Sequence, residues 1–193
     1  MTRLFGENNL TIVLSILFVA LMSEMQVSAQ NTQPERRKIQ VDSITPRPED
    51  ISSIDGIIKA FYEVISGPAG QPRQWARDRT LYTPGVKFFA MEIRDGKPFA
   101  NVMTHQQFVD GSNDSMVKNG FIESEIHRVT QKFGNIAHVL STYEARQKSG
   151  GPIIERGINS IQLYYDGKRW WITSAGWDSE RADNPIPKEY LPK

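Results

Sequence analysis

Between Gly120 and Trp177 the chain carries four β-rich runs, and little else but a sheet can be built from them. The first pair is FIESEIHRVTQKF and IAHVLSTYEARQ, joined at Gly134-Asn135. The second is IERGINSIQLYY and KRWWITSAGW, joined at Asp166-Gly167. Asp-Gly between two such runs marks a hairpin, because both central residues of a type I′ turn need positive φ. The rest of the chain is then expected to cover one face of this sheet.

Upstream, Ile51, Ile54, Ile58, Phe61 and Ile65 recur at three and four residues, which predicts one amphipathic helix over 49–66. Asp50 is placed to cap it, and Ser66-Gly67-Pro68 to stop it. Gly56 lies inside, where its missing side chain allows close packing. A short helix follows Gln71, anchored by Trp75, with Arg77, Asp78 and Arg79 expected on the surface. Val86 to Ile93 and Phe99 to Met103 read as a short hairpin about Asp95-Gly96. Thr104 to Gln107 fits a capping box, opening a third helix that should become irregular at 110–114. Helices gathered on one side of an antiparallel sheet define an α+β layer design: four long strands plus a short hairpin around about three N-terminal helices.

The N-terminus reads as a signal peptide over residues 1–29. Leu10 to Met22 is an apolar run of 13 residues, short of the roughly 20 that a spanning helix needs, and Val27-Ser28-Ala29 offers a cleavage site before Gln30. The expectation is an exported chain, periplasmic or secreted, with no stable membrane span once cleaved. Cleavage removes one base and two acids from the 23 and 22 of the whole chain, leaving a net charge of +2. That is too small to point to nucleic acid. There is no cysteine, hence no disulfide or thiol chemistry. Residues 30–48 read as a polar leader, 49–178 as the domain, and 179–193 as an extended tail with Pro185, Pro187 and Pro192, docked if at all by Ile186, Tyr190 and Leu191.

Helix one, the segment from Trp75 to Pro84, the third helix, and the strings FGNIAHVLSTYE, RGINSIQL and RWWI together resemble the nuclear transport factor 2-like superfamily, on its polyketide cyclase-like (SnoaL-like) side. The resemblance covers about Asp50 to Trp177. It implies a curved sheet wrapped around a helix, forming a cone with a pocket at its open end. It does not fix a function, since members include isomerases, dehydratases, cyclases and proteins that only bind or dimerise.

A two-residue turn at Asp166-Gly167 pairs Leu163 with Trp170, Ile161 with Ile172 and Asn159 with Ser174. This apolar face should be the core. Asn159 and Ser174 at its end need partners, supplied by a pocket mouth or by each other. The opposite face carries Ile158, Ser160, Gln162, Trp171, Thr173, Ala175 and Trp177 and is read as a homodimer surface. For the first hairpin two registers stay open: His127 stands opposite Thr142, or, after a slip of one residue, opposite Tyr143. In both, Glu123, Glu125 and His127 share one face.

The candidate catalytic residues are His127 as base, oriented by Glu125 or Glu123, with Tyr62 and Tyr143 as hydrogen-bond donors. Asn159, Ser174 and Glu125 are the candidate ligand-binding residues. Glu123, Glu125 and His127 have a permissive but unspecific metal spacing, and the reading assigns no metal and no cofactor. Three functions remain: a domain binding a small apolar ligand, a cofactor-free isomerase, dehydratase or cyclase, and a homodimeric interaction module whose cone is filled by its own side chains.

Overall fold

The computed structural model describes residues 38–193; the expected signal peptide and residues 30–37 of the polar leader lie outside them. The described helices are α1 (Pro48–Ile51), α2 (Ile54–Ile65), α3 (Trp75–Arg79) and α4 (His105–Asn119), with a 3-10 turn at Lys188–Tyr190. The strands are β1 (Tyr82–Arg94), β2 (Lys97–Thr104), β3 (Ile122–Phe133), β4 (Ile136–Arg146), β5 (Ile153–Tyr165) and β6 (Trp170–Ser179). They form one open, curved sheet in the order β2-β1-β6-β5-β4-β3. The expected sheet is antiparallel throughout, whereas β1 runs parallel to β6. Strand β2, helix α4 and strands β3 to β5 separate those two segments along the chain, so β1 can reach β6 in either sense. Among the described residues no helix is long and apolar enough to cross a membrane.

Helix α2 fills the concave side. Ile57, Ile58, Phe61, Val64 and Ile65 share one core with Val139, Ile161, Leu163, Trp170, Ile172 and Ala175. The predicted first helix is two pieces, because Ser53 takes the N-cap of α2 by accepting a hydrogen bond from the Gly56 amide at 3.0 Å. Asp50 does not cap. Its carboxylate is buried and accepts from Arg77 Nε (2.8 Å) and Nη2 (2.7 Å). Arg77 and Asp78, expected on the surface, are therefore interior, the first paired with Asp50 and Glu63, the second held by Tyr82 and His105. The capping box of α4 is present, and the helix runs unbroken through 110–114. Asp110 stabilises that stretch by accepting from the Ile39 amide and from Gln106, which docks the end of the leader onto α4.

The β1–β2 turn is the expected two-residue one, with Asp95 and Gly96 at φ 51° and 71°. The β5–β6 turn is not. Asp166 Oδ1 accepts from the amides of Lys168 and Arg169, and Oδ2 from Trp171 Nε1, all at 2.8 Å, so the loop holds four residues. Tyr165 therefore pairs with Trp170 and Leu163 with Ile172. Thr173 is then an extra residue in β6, and beyond this bulge Ile161 meets Ala175 and Asn159 meets Trp177. The expected Asn159–Ser174 pair is overturned: Ser174 pairs with Gln162 on the convex face. In the first hairpin the two-residue register holds from the turn to His127–Thr142, and a bulge at Ile126 then gives Glu125–Tyr143 and Glu123–Ala145. The two-residue register is therefore the one that forms; the slipped register with His127 opposite Tyr143 does not occur, because the Ile126 bulge shifts the pairing by one residue in the opposite direction.

Gly56 approaches its neighbours closely: a Cβ there would lie 2.1 Å from the Glu49 carbonyl oxygen. At Gly111, in the middle of α4, a Cβ would meet nothing within 4 Å. Gly56→Ala should cost ~1–3 kcal/mol of stability by overpacking, and Gly111→Ala should add ~0.5–1 kcal/mol through helix propensity. Urea unfolding of both variants checks the pair, and equal effects would contradict the packing described here.

Candidate functional site

A cavity of about 190 Å³ opens between α2, α4 and the concave face of β3–β6. Helix α2 contributes Phe61 and Ile65 to it, and α4 contributes Phe108, Ser112 and Met116. Phe121 stands just before β3, where its backbone exchanges two hydrogen bonds with Gly67 and so ties the end of α2 to the sheet. The sheet supplies Glu123, Tyr143, Glu155, Asn159 and Trp177. These five reach one side because of the two bulges: Glu123 belongs to the stretch of β3 beyond Ile126, and Trp177 to the stretch of β6 beyond Thr173.

One polar network supports this wall. Asn159 Nδ2 donates to Glu123 Oε1 and to Tyr62 Oη, both at 3.1 Å. Tyr62 Oη lies 2.6 Å from Ser141 Oγ, and Ser141 donates to Glu125. The serine proton is thus engaged, so the tyrosine donates to the serine. Arg128 closes the chain, donating to Glu125 from Nε (2.8 Å) and Nη2 (2.6 Å) and to Asp55 from Nη1 (2.6 Å). A second group forms beside it, where Glu155 Oε1 accepts from Tyr143 Oη (2.8 Å) and Ser179 Oγ (2.6 Å). Gly157 permits that contact, since a Cβ there would sit 2.7 Å from the Tyr143 hydroxyl.

Burial pushes the Glu123 carboxyl up to about 8; the Asn159 hydrogen bond opposes the shift and the neighbouring Glu155 adds to it. At neutral pH Glu123 is therefore mostly protonated and can give or take a proton there. Burial raises the Tyr62 and Tyr143 hydroxyls well above the ordinary tyrosine range, with further contributions from Glu123 and Glu155 respectively, so both remain neutral donors.

Tyr143 and Asn159 line the cavity as the sequence suggests. Tyr62 and Glu125 lie behind it in the network, with the hydroxyl of one and the carboxylate of the other already engaged. Ser174 is on the convex face, as its pairing with Gln162 requires. His127 does not share a face with Glu123 and Glu125. The Ile126 bulge sets it opposite Thr142, whose hydroxyl donates to the Tyr190 carbonyl of the tail at 2.6 Å. The same bulge separates His127 from the two glutamates as a metal set, and among the described residues no three such side chains are placed to hold an ion. Glu155 and Trp177 were missed. Glu155 is legible as the residue two pairs before Asn159 on the same side of β5; Trp177 is not, because nothing in KRWWITSAGW announces the bulge.

A larger, shallower hollow of about 390 Å³ lies beside Arg79, Tyr82 and His105. Its lining carries no carboxyl group; Asp78, which is fully buried, accepts from Tyr82 Oη (2.9 Å) and pairs with His105 Nε2 (2.8 Å). The smaller cavity, with an acid facing open space, is the candidate site.

The raised Glu123 couples to stability. The unfolded carboxyl ionises near its ordinary value while the folded one stays protonated to about pH 8, so the folded state binds more protons in between and loses stability as pH rises through that window. Glu123→Gln, which keeps an acceptor for Asn159, removes the effect. The variant should gain stability relative to the wild type from about pH 5 to 8, with the difference level above that. Melting temperatures of the two proteins at several pH values read this directly, and a constant difference would contradict the raised carboxyl.

No family model matches the chain, and no curated protein does. Among solved structures it is similar to a protein of unknown function with a cystatin-like fold from Nostoc punctiforme, with 6% identity over 67% of this chain and 90% of that one and a TM-score of 0.49. An NTF2-like protein of unknown function from Methylobacillus flagellatus matches at 14% identity over 72% of this chain and 98% of that one, TM-score 0.47. Another from Shewanella baltica matches at 14% identity over 67% and 92%, TM-score 0.44. By its own topology, an open curved sheet of six strands holding helices on its concave side, the domain has an α+β cone fold, consistent with the nuclear transport factor 2-like architecture.

Proposed function

We propose that the cavity binds a small organic molecule, and that the protein is an exported binding domain of this fold. The observation that carries the reading is an aromatic-walled hollow of about 190 Å³ in which Glu123 and Glu155 each have one oxygen engaged and the other without a donor among the described residues. A cone filled by its own side chains would have no such space. Export rests on the apolar run Leu10 to Met22 and the small residues Val27-Ser28-Ala29.

One observation favours a second reading, an enzyme that moves a proton on its ligand. Glu123, protonated to about pH 8, suits general acid–base work near neutrality, and it takes the role the sequence offered to His127. Native mass spectrometry of the protein from its own cell envelope tests these together. The expected spectrum shows a chain beginning at Gln30 with a small molecule bound, and Ser112→Phe, which plugs the cavity, loses that molecule. A bound mass retained in Ser112→Phe rejects the cavity as the site. Incubation in deuterium oxide separates the two readings: carbon-bound deuterium appears in the ligand with the wild type and not with Glu123→Gln if the proton is moved, and with neither if the ligand is only held.

We also propose a homodimer through the convex face. Ala175 and Trp177 no longer belong to that face, but Ile158, Thr173 and Trp171 do, and Phe133 and Ile136 extend it at the β3–β4 tip, 85% and 60% exposed. Sedimentation at micromolar concentration should give a dimer, reduced to a monomer by Ile136→Lys. A wild-type monomer would reject the interface.

A further inference from the structure

We infer that the molecule taken by this cavity is an organic cation, a protonated or quaternary nitrogen on a small apolar body. The inference rests on the reading of the cavity as a binding site and adds the class of its ligand.

The first argument is charge. The lining contains two carboxyl groups, Glu123 and Glu155, and no lysine, arginine or histidine. The nearest internal cations are engaged elsewhere. Arg128 donates to Glu125 and Asp55, and buried Arg73 donates to the carbonyls of Gly67, Gln71 and Met116. A carboxylate or phosphate ligand would find no basic side chain in the lining and would hold Glu123 in its neutral form, whereas a cation favours its ionised form.

The second argument is the donor and acceptor inventory. Asn159 Nδ2 already serves Glu123 and Tyr62, and the Tyr143 hydroxyl already serves Glu155. Each glutamate accepts at Oε1 and has a second oxygen without a donor among the described residues. Among the lining groups Ser112 and the proton of Glu123 are left to donate, and Glu123 becomes an acceptor when it gives that proton up, so a ligand that brings donors or a positive charge uses both carboxyl groups.

The third is the rest of the lining. Phe61, Phe108, Phe121, Tyr143 and Trp177 surround the two acids, and Phe108 and Trp177 form a corner, their centroids 6.0 Å apart and their planes at 71°. Aromatic faces attract a desolvated cation through the ring quadrupole, and such walls are how quaternary ammonium groups are held. A neutral apolar ligand would use the rings and leave the acids without a partner; a cation uses both. The raised Glu123 agrees with a carboxyl that lacks its counter-charge while the cavity is empty.

The test is calorimetric titration of the full mature chain with three probes of one shape: choline, its neutral isostere 3,3-dimethylbutan-1-ol, and the anion 3,3-dimethylbutanoate. Choline should bind about tenfold or more tightly than the alcohol, and the anion should not bind. In Glu123→Gln/Glu155→Gln, where each amide oxygen still accepts from Asn159, Tyr143 and Ser179, that preference should fall to about twofold or less. Alcohol binding as tight as choline, or measurable anion binding, overturns the cation and leaves the binding cavity standing. If none of the three binds while a neutral or anionic compound co-purifies, the cation is again overturned and the cavity kept. If nothing binds and nothing co-purifies, both fall. The wild-type comparison decides the matter even where the double variant does not fold.

Discussion

Two extra residues in the β ladders decide what this protein holds in its hollow. Side chains on a strand alternate between faces, so one inserted residue turns every later side chain over. The insertion at Ile126 puts Glu123 and Glu125 on the helix side and His127 on the other. The insertion at Thr173 brings Trp177 in and sends Ser174 out. Without them, counting from the turns, Glu123 and Glu125 would join His127 on the convex face, and Ser174 would turn inward in place of Trp177.

The second constraint is that this acid site is built on a continuous polar chain through an otherwise apolar core. Asn159 joins β5 to Glu123 on β3 and to Tyr62 on α2; Ser141 on β4 and Glu125 on β3 follow, and Arg128 returns to Asp55 at the start of α2. Every member has a partner, so the chain avoids the cost of bare buried polar groups and pins the helix to three strands at a fixed height. That height keeps Phe61 and Ile65 at the cavity wall. The second arginine pair, Arg77 with Asp50 and Glu63, fixes α3 against α1 and α2 in the same way.

How much of this was legible depends on the range of the interaction. Local signals were read well: the capping box at Thr104, the Asp95-Gly96 turn, the apolar stripe of α2 and the four long strands all form where the sequence places them. Locally weak signals were misread when a distant partner changed their value. Asp110 and its neighbours look like poor helix material, yet α4 continues because Asp110 binds the Ile39 amide. Arg77 and Asp78 look like surface charges, yet each is buried beside a complement. At the cavity, Asn159 and Glu155 follow from strand alternation along β5, whereas Tyr143 stands opposite Glu125 and not His127 because of the Ile126 bulge.

The sequence by itself determined the α+β class, the order of the elements and the apolar face of the second hairpin, since these follow from periodicity and turn chemistry within a few residues of each other. Only the tertiary structure decided that β1 runs parallel to β6, that Asp166 lengthens its turn, and that the ladders bulge at Ile126 and Thr173. These features set the identity of the cavity lining. The Asp166 turn is held by bonds to residues 168, 169 and 171, whereas the parallel pairing and the bulges belong to the fit of a twisted sheet around α2 and α4, a condition that no local stretch of sequence encodes.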